Sequence, residues 1–176
     1  MRMAYTIVDS ALGRLLVAAT EKGLCFVSLG EDDPPMEAEL RSDYPCADIR
    51  RDDAAGLPCV EPLLKYLRGE SADLALPLDA PGTGFQRRVW AGLQSIPFGS
   101  TRTYKEIARD LGLPETAARA VGRACATNSV SLVIPCHRAR RADGGLAGYR
   151  WGLERKRLLI KLEKSFPGNA ATALII

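Results

Sequence analysis

The 176-residue chain contains one histidine, His137, and it directly follows Cys136 in "VIPCHRARRADGGLAGYRWG". A thiol of ordinary pKa, about 8.5, is only a few per cent thiolate at neutral pH, so a cysteine that attacks carbon needs a base or a positive surrounding. Cys136 has His137 beside it and Arg138, Arg140 and Arg141 just beyond, a neighbourhood able to activate sulfur. Adjacent side chains on an extended strand point to opposite faces, so a working pair requires a turn, a bridging water or both, and Pro135 favours an irregular backbone there. A base also needs a third group to fix its tautomer. Glu163 is the candidate, because a carboxylate in the last turn of a helix opposes the macrodipole and hints at a specific use. The competing readings are an inert buried thiol at Cys136 and a solvated Glu163 beside Lys161 and Lys164.

The other four cysteines (Cys25, Cys46, Cys59, Cys125) form no C-x-x-C with one another or with Cys136. The odd total of five and the single histidine support neither a disulfide framework nor a zinc cluster, so all five are expected as free thiols and no metal is expected. No stretch approaches the roughly 18 apolar residues of a membrane span, and "MRMAYTIVDS" lacks the apolar core of a signal peptide, so the expected location is the cytoplasm, with no membrane partner.

The elements that must position these residues fall in two parts. Residues 1–80 carry a net charge of −7 and residues 81–176 one of +10, behind an overall +3. A basic half joined to an acidic one is an electrostatic footprint of nucleic-acid binding; a charged solvated surface is the plainer alternative. The N-terminal part suits a three-stranded antiparallel meander, with turns at Gly13 and at Glu21-Lys22-Gly23, followed by helices over 36–43 and 60–68. "PLDAPGTG" (77–84) marks the boundary.

Beyond it the period is helical. Phe85, Val89, Leu93 and Ile96 share one face of a helix. Thr103 with Glu106 makes a capping box, Ile107 and Leu111 an apolar stripe, Gly112 a stop, and Pro114 suits the first turn of a second helix over 115–126: a helix-turn-helix. In that second helix Ala117, Ala118, Ala120 and Gly122 leave almost no side-chain bulk, while Arg119 and Arg123 fall at i and i+4. Like charges so placed destabilise a lone helix by a few tenths of a kcal/mol, and a phosphate backbone would reverse the sign. A last helix runs from 152 to about 164, and residues 166–176 read as a tail.

Together "FQRRVWAGLQSIPFGSTRTYKEIA", "ARAVGRACATN", "IPCHR" and "GYRWGLERKRLLIKLE" resemble the O6-alkylguanine-DNA alkyltransferases (methylated-DNA–protein-cysteine methyltransferases), the last stretch being most similar to the alkyltransferase half of the bacterial adaptive-response (Ada) type. The resemblance implies a two-domain α/β (α+β) fold: a ribonuclease-H-like antiparallel sheet with helices over 1–80, and a mainly helical, winged-helix-like DNA-binding and catalytic domain over 81–165. It implies a single-turnover transfer of a methyl or alkyl group from O6-alkylguanine in duplex DNA to Cys136, without a cofactor, by a monomer in the bacterial cytoplasm that joins the nucleoid when DNA-bound. O4-methylthymine is a further candidate substrate.

By the same resemblance His137 is the base, acting through water, Glu163 orients it, and Asn128 braces the turn carrying the cysteine. Arg119 is the finger that fills the gap left by a flipped nucleotide, and Tyr104 crowds the 3′ phosphate and reaches the guanine. Arg123, Ala117, Ala118, Ala120 and Gly122 lie on the minor-groove helix. Ala139, Tyr149, Arg150, Trp151 and Cys125 belong to the base pocket. Trp151 stands where many members have glycine, and Ser131 replaces a proline of some relatives; both reshape the pocket. The zinc domain of the adaptive-response type has no counterpart here, so transcriptional activation and methylphosphotriester repair are not implied. The rival readings are a non-catalytic module that binds alkylated bases, which would lack the acceptor cysteine, and a thiol hydrolase, which would need no Arg119 probe.

Overall fold

The computed structural model describes residues 1–53 and 57–166. Backbone packing divides the chain into two compact units: Met1–Pro81 with Ser129–Val133, and Gly82–Asn128 with the chain from Ile134 onward.

In the first unit, strands β1 (Arg2–Ser10), β2 (Gly13–Thr20) and β3 (Gly23–Gly30) form the expected meander, paired antiparallel with Tyr5 opposite Ala18 and Val17 opposite Val27. The sheet is mixed rather than purely antiparallel. A short strand absent from the sequence reading, β4 (Asp48–Arg51), adds to the free edge of β1 in parallel, giving the order β3-β2-β1-β4. Its DIRR sequence has one apolar residue in four, too little alternation to register as a strand. Helix α1 (Asp33–Asp43) begins three residues before the expected start, with prolines in its first turn where a missing N–H costs nothing. It buries Met36 and Leu40 against Tyr5, Ile7, Leu16 and Phe26. Helix α2 (Val60–Leu67) follows. The segment Ser129–Val133, remote in sequence, packs with this unit: Val27 N–H donates to the Ser129 carbonyl at 2.8 Å and Ser131 N–H to the Val27 carbonyl at 3.1 Å.

The second unit is helical. Helix α3 (Gly84–Gln94) carries a capping box at Thr83 and Gln86 and buries Val89, Trp90 and Leu93, with Trp90 Nε1 donating to the Ala124 carbonyl at 2.8 Å. Phe85, expected on this buried face, is exposed, because it sits in the first turn, where the chain has only just entered the unit.

After the short strand β5 (Arg102–Thr103), helix α4 (Tyr104–Asp110) opens on the expected capping box. Thr103 Oγ1 accepts from Glu106 N at 3.2 Å, and Glu106 Oε2 accepts from Thr103 N at 2.6 Å. It closes on Gly112, whose φ of +67° places it in the left-handed region; Leu113 N–H reaches the Ala108 carbonyl and Gly112 N–H the Arg109 carbonyl. That pair of bonds satisfies the last carbonyls of the helix and turns the chain sharply.

The second half of the helix-turn-helix starts as a 3-10 turn, Glu115–Ala117, and becomes α-helical only at α5 (Ala118–Ala126). Pro114, extended at ψ 150°, caps that turn from outside rather than sitting in it. A second 3-10 turn, Cys136–Arg138, leads into strand β6 (Ala139–Arg140), which pairs in parallel with β5, and helix α6 (Leu153–Lys164) ends the unit. The tail lies outside the described residues apart from Phe166.

A side chain added at Gly112 would meet nothing within 4 Å, so only the backbone resists it. Gly112→Ala is expected to cost about 1–2 kcal/mol in urea unfolding, the penalty of a Cβ in left-handed conformation; an unchanged midpoint would show that the turn relaxes.

Candidate active site and nucleic-acid interface

Cys136 opens the 3-10 turn and is 6% exposed. The turn settles the geometric difficulty of neighbouring side chains: Cys136 lines a cavity of about 420 Å³, while His137 is directed to α6. Asn128, fully buried, donates from Nδ2 to the Ile134 carbonyl at 2.8 Å and to Cys136 Sγ at 3.2 Å, so one amide both braces the turn and solvates the sulfur. Burial pushes the Cys136 thiol above its ordinary pKa, and the Asn128 donor and the Lys156 amine pull it back only in part.

His137 Nε2 lies 2.7 Å from Glu163 Oε1, both groups being buried. Glu163 sits in the last turn of α6, as the sequence led one to expect, and it is engaged from three sides. Arg138 grips it through Nε at 3.1 and 3.0 Å and through Nη2 at 3.0 Å, and the Gly99 amide donates to Oε2 at 2.9 Å. Burial alone would raise this carboxyl; the bonds from His137 and Arg138 prevail and hold it at about 2. Burial draws His137 below its ordinary value, with Glu163 opposing, so the resting imidazole is neutral and able to accept a proton.

The electropositive neighbourhood expected for Cys136 is arranged differently from the sequence reading. Arg138 is spent on Glu163 and on the Ile96 carbonyl at 2.7 Å, over the Phe98 ring; Arg141 pairs with Asp143 at the surface; Arg140 lies in β6. The cation that bears on the sulfur is Lys156, fully buried on α6. Inside "ERKRLL" it reads as one more solvated base. The available signal was its spacing with Leu159 and Glu163, which puts all three on one helix face.

The cavity is lined by Tyr104, Gly122, Cys125, Ala126 and Cys136 and by the 147–150 segment, with Tyr149 and Arg150. Burial raises the Tyr104 hydroxyl above its ordinary value and the Cys125 thiol to about 12, so both remain protonated. Two residues assigned to the pocket are not among those that line it. Ala139 is fully buried in β6, and Trp151 packs edge-on against Tyr149 at 5.2 Å between ring centres. Trp151 therefore bears on the cavity through its contact with Tyr149, a lining residue.

On α5, Arg119 and Arg123 are exposed and have no ion-pair partner among the described residues, whereas Arg109 and Lys105 pair with Glu115. Ala117, Ala118, Ala120 and Gly122 are half-buried. A methyl group at Gly122 would meet only Tyr104 Cε1, at 4.0 Å, so packing within the unit does not require glycine there. A more open groove beside the helix is lined by Tyr104, Lys105, Ala118, Arg119 and Arg141 together with Asp143, which pairs with Arg141.

A cysteine on a tight turn with a buried histidine–glutamate pair, lining a cavity next to a bare helix-turn-helix, is an arrangement suited to thiol chemistry on a bound group. Two family models match the chain: 6-O-methylguanine DNA methyltransferase, DNA binding domain, over residues 84–165, and 6-O-methylguanine DNA methyltransferase, ribonuclease-like domain, over residues 3–80. The chain is 47% identical over 161 residues to a methylated-DNA–protein-cysteine methyltransferase of Mycobacterium bovis, covering 92% of each. It is 42% identical over 163 residues to the Escherichia coli bifunctional transcriptional activator/DNA repair enzyme Ada, covering 93% of this chain but 46% of that protein, about half its length. Among solved structures, the Mycobacterium tuberculosis O6-methylguanine methyltransferase superposes with a TM-score of 0.79 at 36% identity, over 97% of this chain and 99% of that one. The same organism's OGT in complex with DNA gives 0.77 at 38% identity, over 92% and 93%. The chain belongs to the 6-O-methylguanine DNA methyltransferase family.

Glu163→Ala would strand the buried Arg138 charge and is expected to cost about 3–5 kcal/mol at pH 7 in urea unfolding. A carboxyl held down to about 2 contributes its stability in full above the ordinary glutamate value and loses it as pH falls through about 2. The gap between the native protein and the variant should therefore narrow on acidification from about pH 4.5. A gap independent of pH would contradict the assigned charge.

Proposed function

We propose that the protein repairs DNA by direct reversal, transferring a methyl or alkyl group from O6-alkylguanine in duplex DNA to Cys136 in a single turnover. The observation that supports this reading most is the Asn128-solvated Cys136 sulfur lining a cavity, with the His137–Glu163 pair beside it in the chain. In this reading residues 1–80 form a ribonuclease-H-like domain, residues 81–165 carry DNA binding and catalysis, and residues 166–176 are a tail. The protein works as a monomer in the cytoplasm.

O6 of guanine is enclosed in a stacked pair, so sulfur reaches it only after the base leaves the stack, at a cost of a few kcal/mol that a damaged pair lowers. Helix α5 and the 3-10 turn before it, bare at Ala117, Ala118, Ala120 and Gly122, enter the minor groove; Arg123 holds phosphate; Arg119 fills the gap, and Tyr104 crowds the backbone and drives the nucleotide out. The flipped base enters the cavity lined by Gly122, Cys125, Tyr149 and Arg150. His137, its Nε2 engaged by Glu163, takes the thiol proton on Nδ1 through water. Sulfur then displaces guanine at the alkyl carbon, and the Tyr104 hydroxyl assists the departing purine. The thioether formed has no leaving group that water could exploit under these conditions, so the protein is consumed. O4-methylthymine fits the same chemistry.

Mixing the protein with a duplex carrying O6-methylguanine should add one methyl group to the Cys136 peptide, read by mass spectrometry. Binding without that gain would favour a non-catalytic lesion-binding module instead. Cys136→Ala should abolish transfer and keep duplex affinity. Arg119→Ala should slow transfer from duplex about tenfold or more, a loss of about 1.4 kcal/mol, and leave reaction with free O6-methylguanine base nearly unchanged; equal slowing of both would remove the finger from the account.

A further inference from the structure

Lys156 stands on α6 two turns before Glu163, and its side chain is fully buried. Taking an ammonium out of water costs several kcal/mol unless something nearby compensates it. Compensation from the backbone is thin, because Nζ donates to the Ala147 carbonyl at 3.4 Å, and among the described residues no carboxylate pairs with it. Among the described residues, the titratable groups that bear on Lys156 are the thiols of Cys136 and Cys125, whose ionisation would hold its proton, and His137, whose protonation it opposes. Ala147 and Cys136 line the same cavity, so the amine is tied to the wall around the sulfur. A fully buried lysine whose available counter-charges are thiolates is costly to the fold and of use only when one of them ionises.

We propose that Lys156 is a positioning residue for the transfer, a buried ammonium that stabilises the Cys136 thiolate as it forms and loses that counter-charge when the sulfur is alkylated. The proposal rests on the alkyl-acceptor reading of Cys136. The thiol proton leaves by way of His137, and a sulfur electron pair forms the new bond to carbon. The carbon–oxygen bond breaks with its electrons staying on guanine, which takes up one proton, so the net exchange is one proton for one alkyl group. Lys156 keeps its own proton throughout. It faces a thiol at rest, an anion once His137 has taken the proton and a neutral thioether at the end, and opposition to His137 protonation keeps the resting imidazole neutral.

The test needs no lesion for its first readout. The rate of carboxamidomethylation of the Cys136 peptide by iodoacetamide, followed against pH in the full chain, gives the thiol midpoint. Lys156→Met should move that midpoint up by about one unit and slow methyl transfer at pH 7 about tenfold. Lys156→Arg, which keeps the charge, should recover most of both. Removing an under-compensated buried cation should leave the unfolding midpoint of Lys156→Met equal or higher, which a merely structural role would not do. In the native protein labelled with 13Cε-lysine, the buried lysine should titrate at least one unit lower after Cys136 is methylated, a readout that stands even where the variants fail to fold. An unmoved iodoacetamide midpoint in Lys156→Met, or an unmoved lysine titration on methylation, overturns the proposal. The expected iodoacetamide shift in a protein that takes no methyl group from any alkylated duplex would overturn the acceptor reading and leave the Lys156–Cys136 coupling in place.

Discussion

A carboxylate 1% exposed has to be neutralised where it stands, and the way Glu163 is neutralised organises the second unit. Arg138 supplies the compensating charge, the Gly99 amide a further donor, and His137 the bond that has chemical use. These partners come from the turn after the cysteine and from the loop between α3 and β5, so one buried ion holds three pieces of chain in register. Because Glu163 accepts from Nε2, the imidazole tautomer is fixed with its lone pair on the other nitrogen. Breaking the arrangement from either side leaves a buried charge alone, a far larger penalty than the pair itself returns in stability.

The cysteine is set up in the opposite manner. Burial raises its thiol, so the resting protein holds sulfur protonated, protected and poorly reactive toward stray electrophiles. Under the proposed function the nucleophile is used once and gains from such restraint: reactivity is needed only when a flipped base fills the cavity and excludes water, where the Asn128 donor and the Lys156 cation count for more. The environment that makes the thiol slow at rest is thus the one in which small electrostatic aids become effective.

Much of this was legible in the chain because local chemistry dictated it. The meander turns, the Thr103–Glu106 capping box, the Gly112 stop and the glutamate in the last turn of α6 are all short-range signals, and each appears in the structure as a specific hydrogen bond or backbone angle. What escaped notice depended on distant partners. Strand β4 exists because the edge of β1 offers it hydrogen bonds, not because DIRR favours extension. The recruitment of Arg138 by Glu163, 25 residues away, and the burial of Lys156 follow from how α6 lies against the turn, which no window of sequence contains. Trp151 was legible as a bulky departure, yet its position against Tyr149 rather than in the cavity lining required the packing itself.

The account stands on sulfur at position 136 being an irreversible, one-use acceptor. Its most direct test is stoichiometry: incubate the protein with a large excess of duplex carrying radiolabelled O6-methylguanine and follow protein-bound label to completion. The account predicts a plateau at one methyl group per chain, all of it on Cys136. Label passing through the protein into solution, with many lesions cleared per chain, would contradict it.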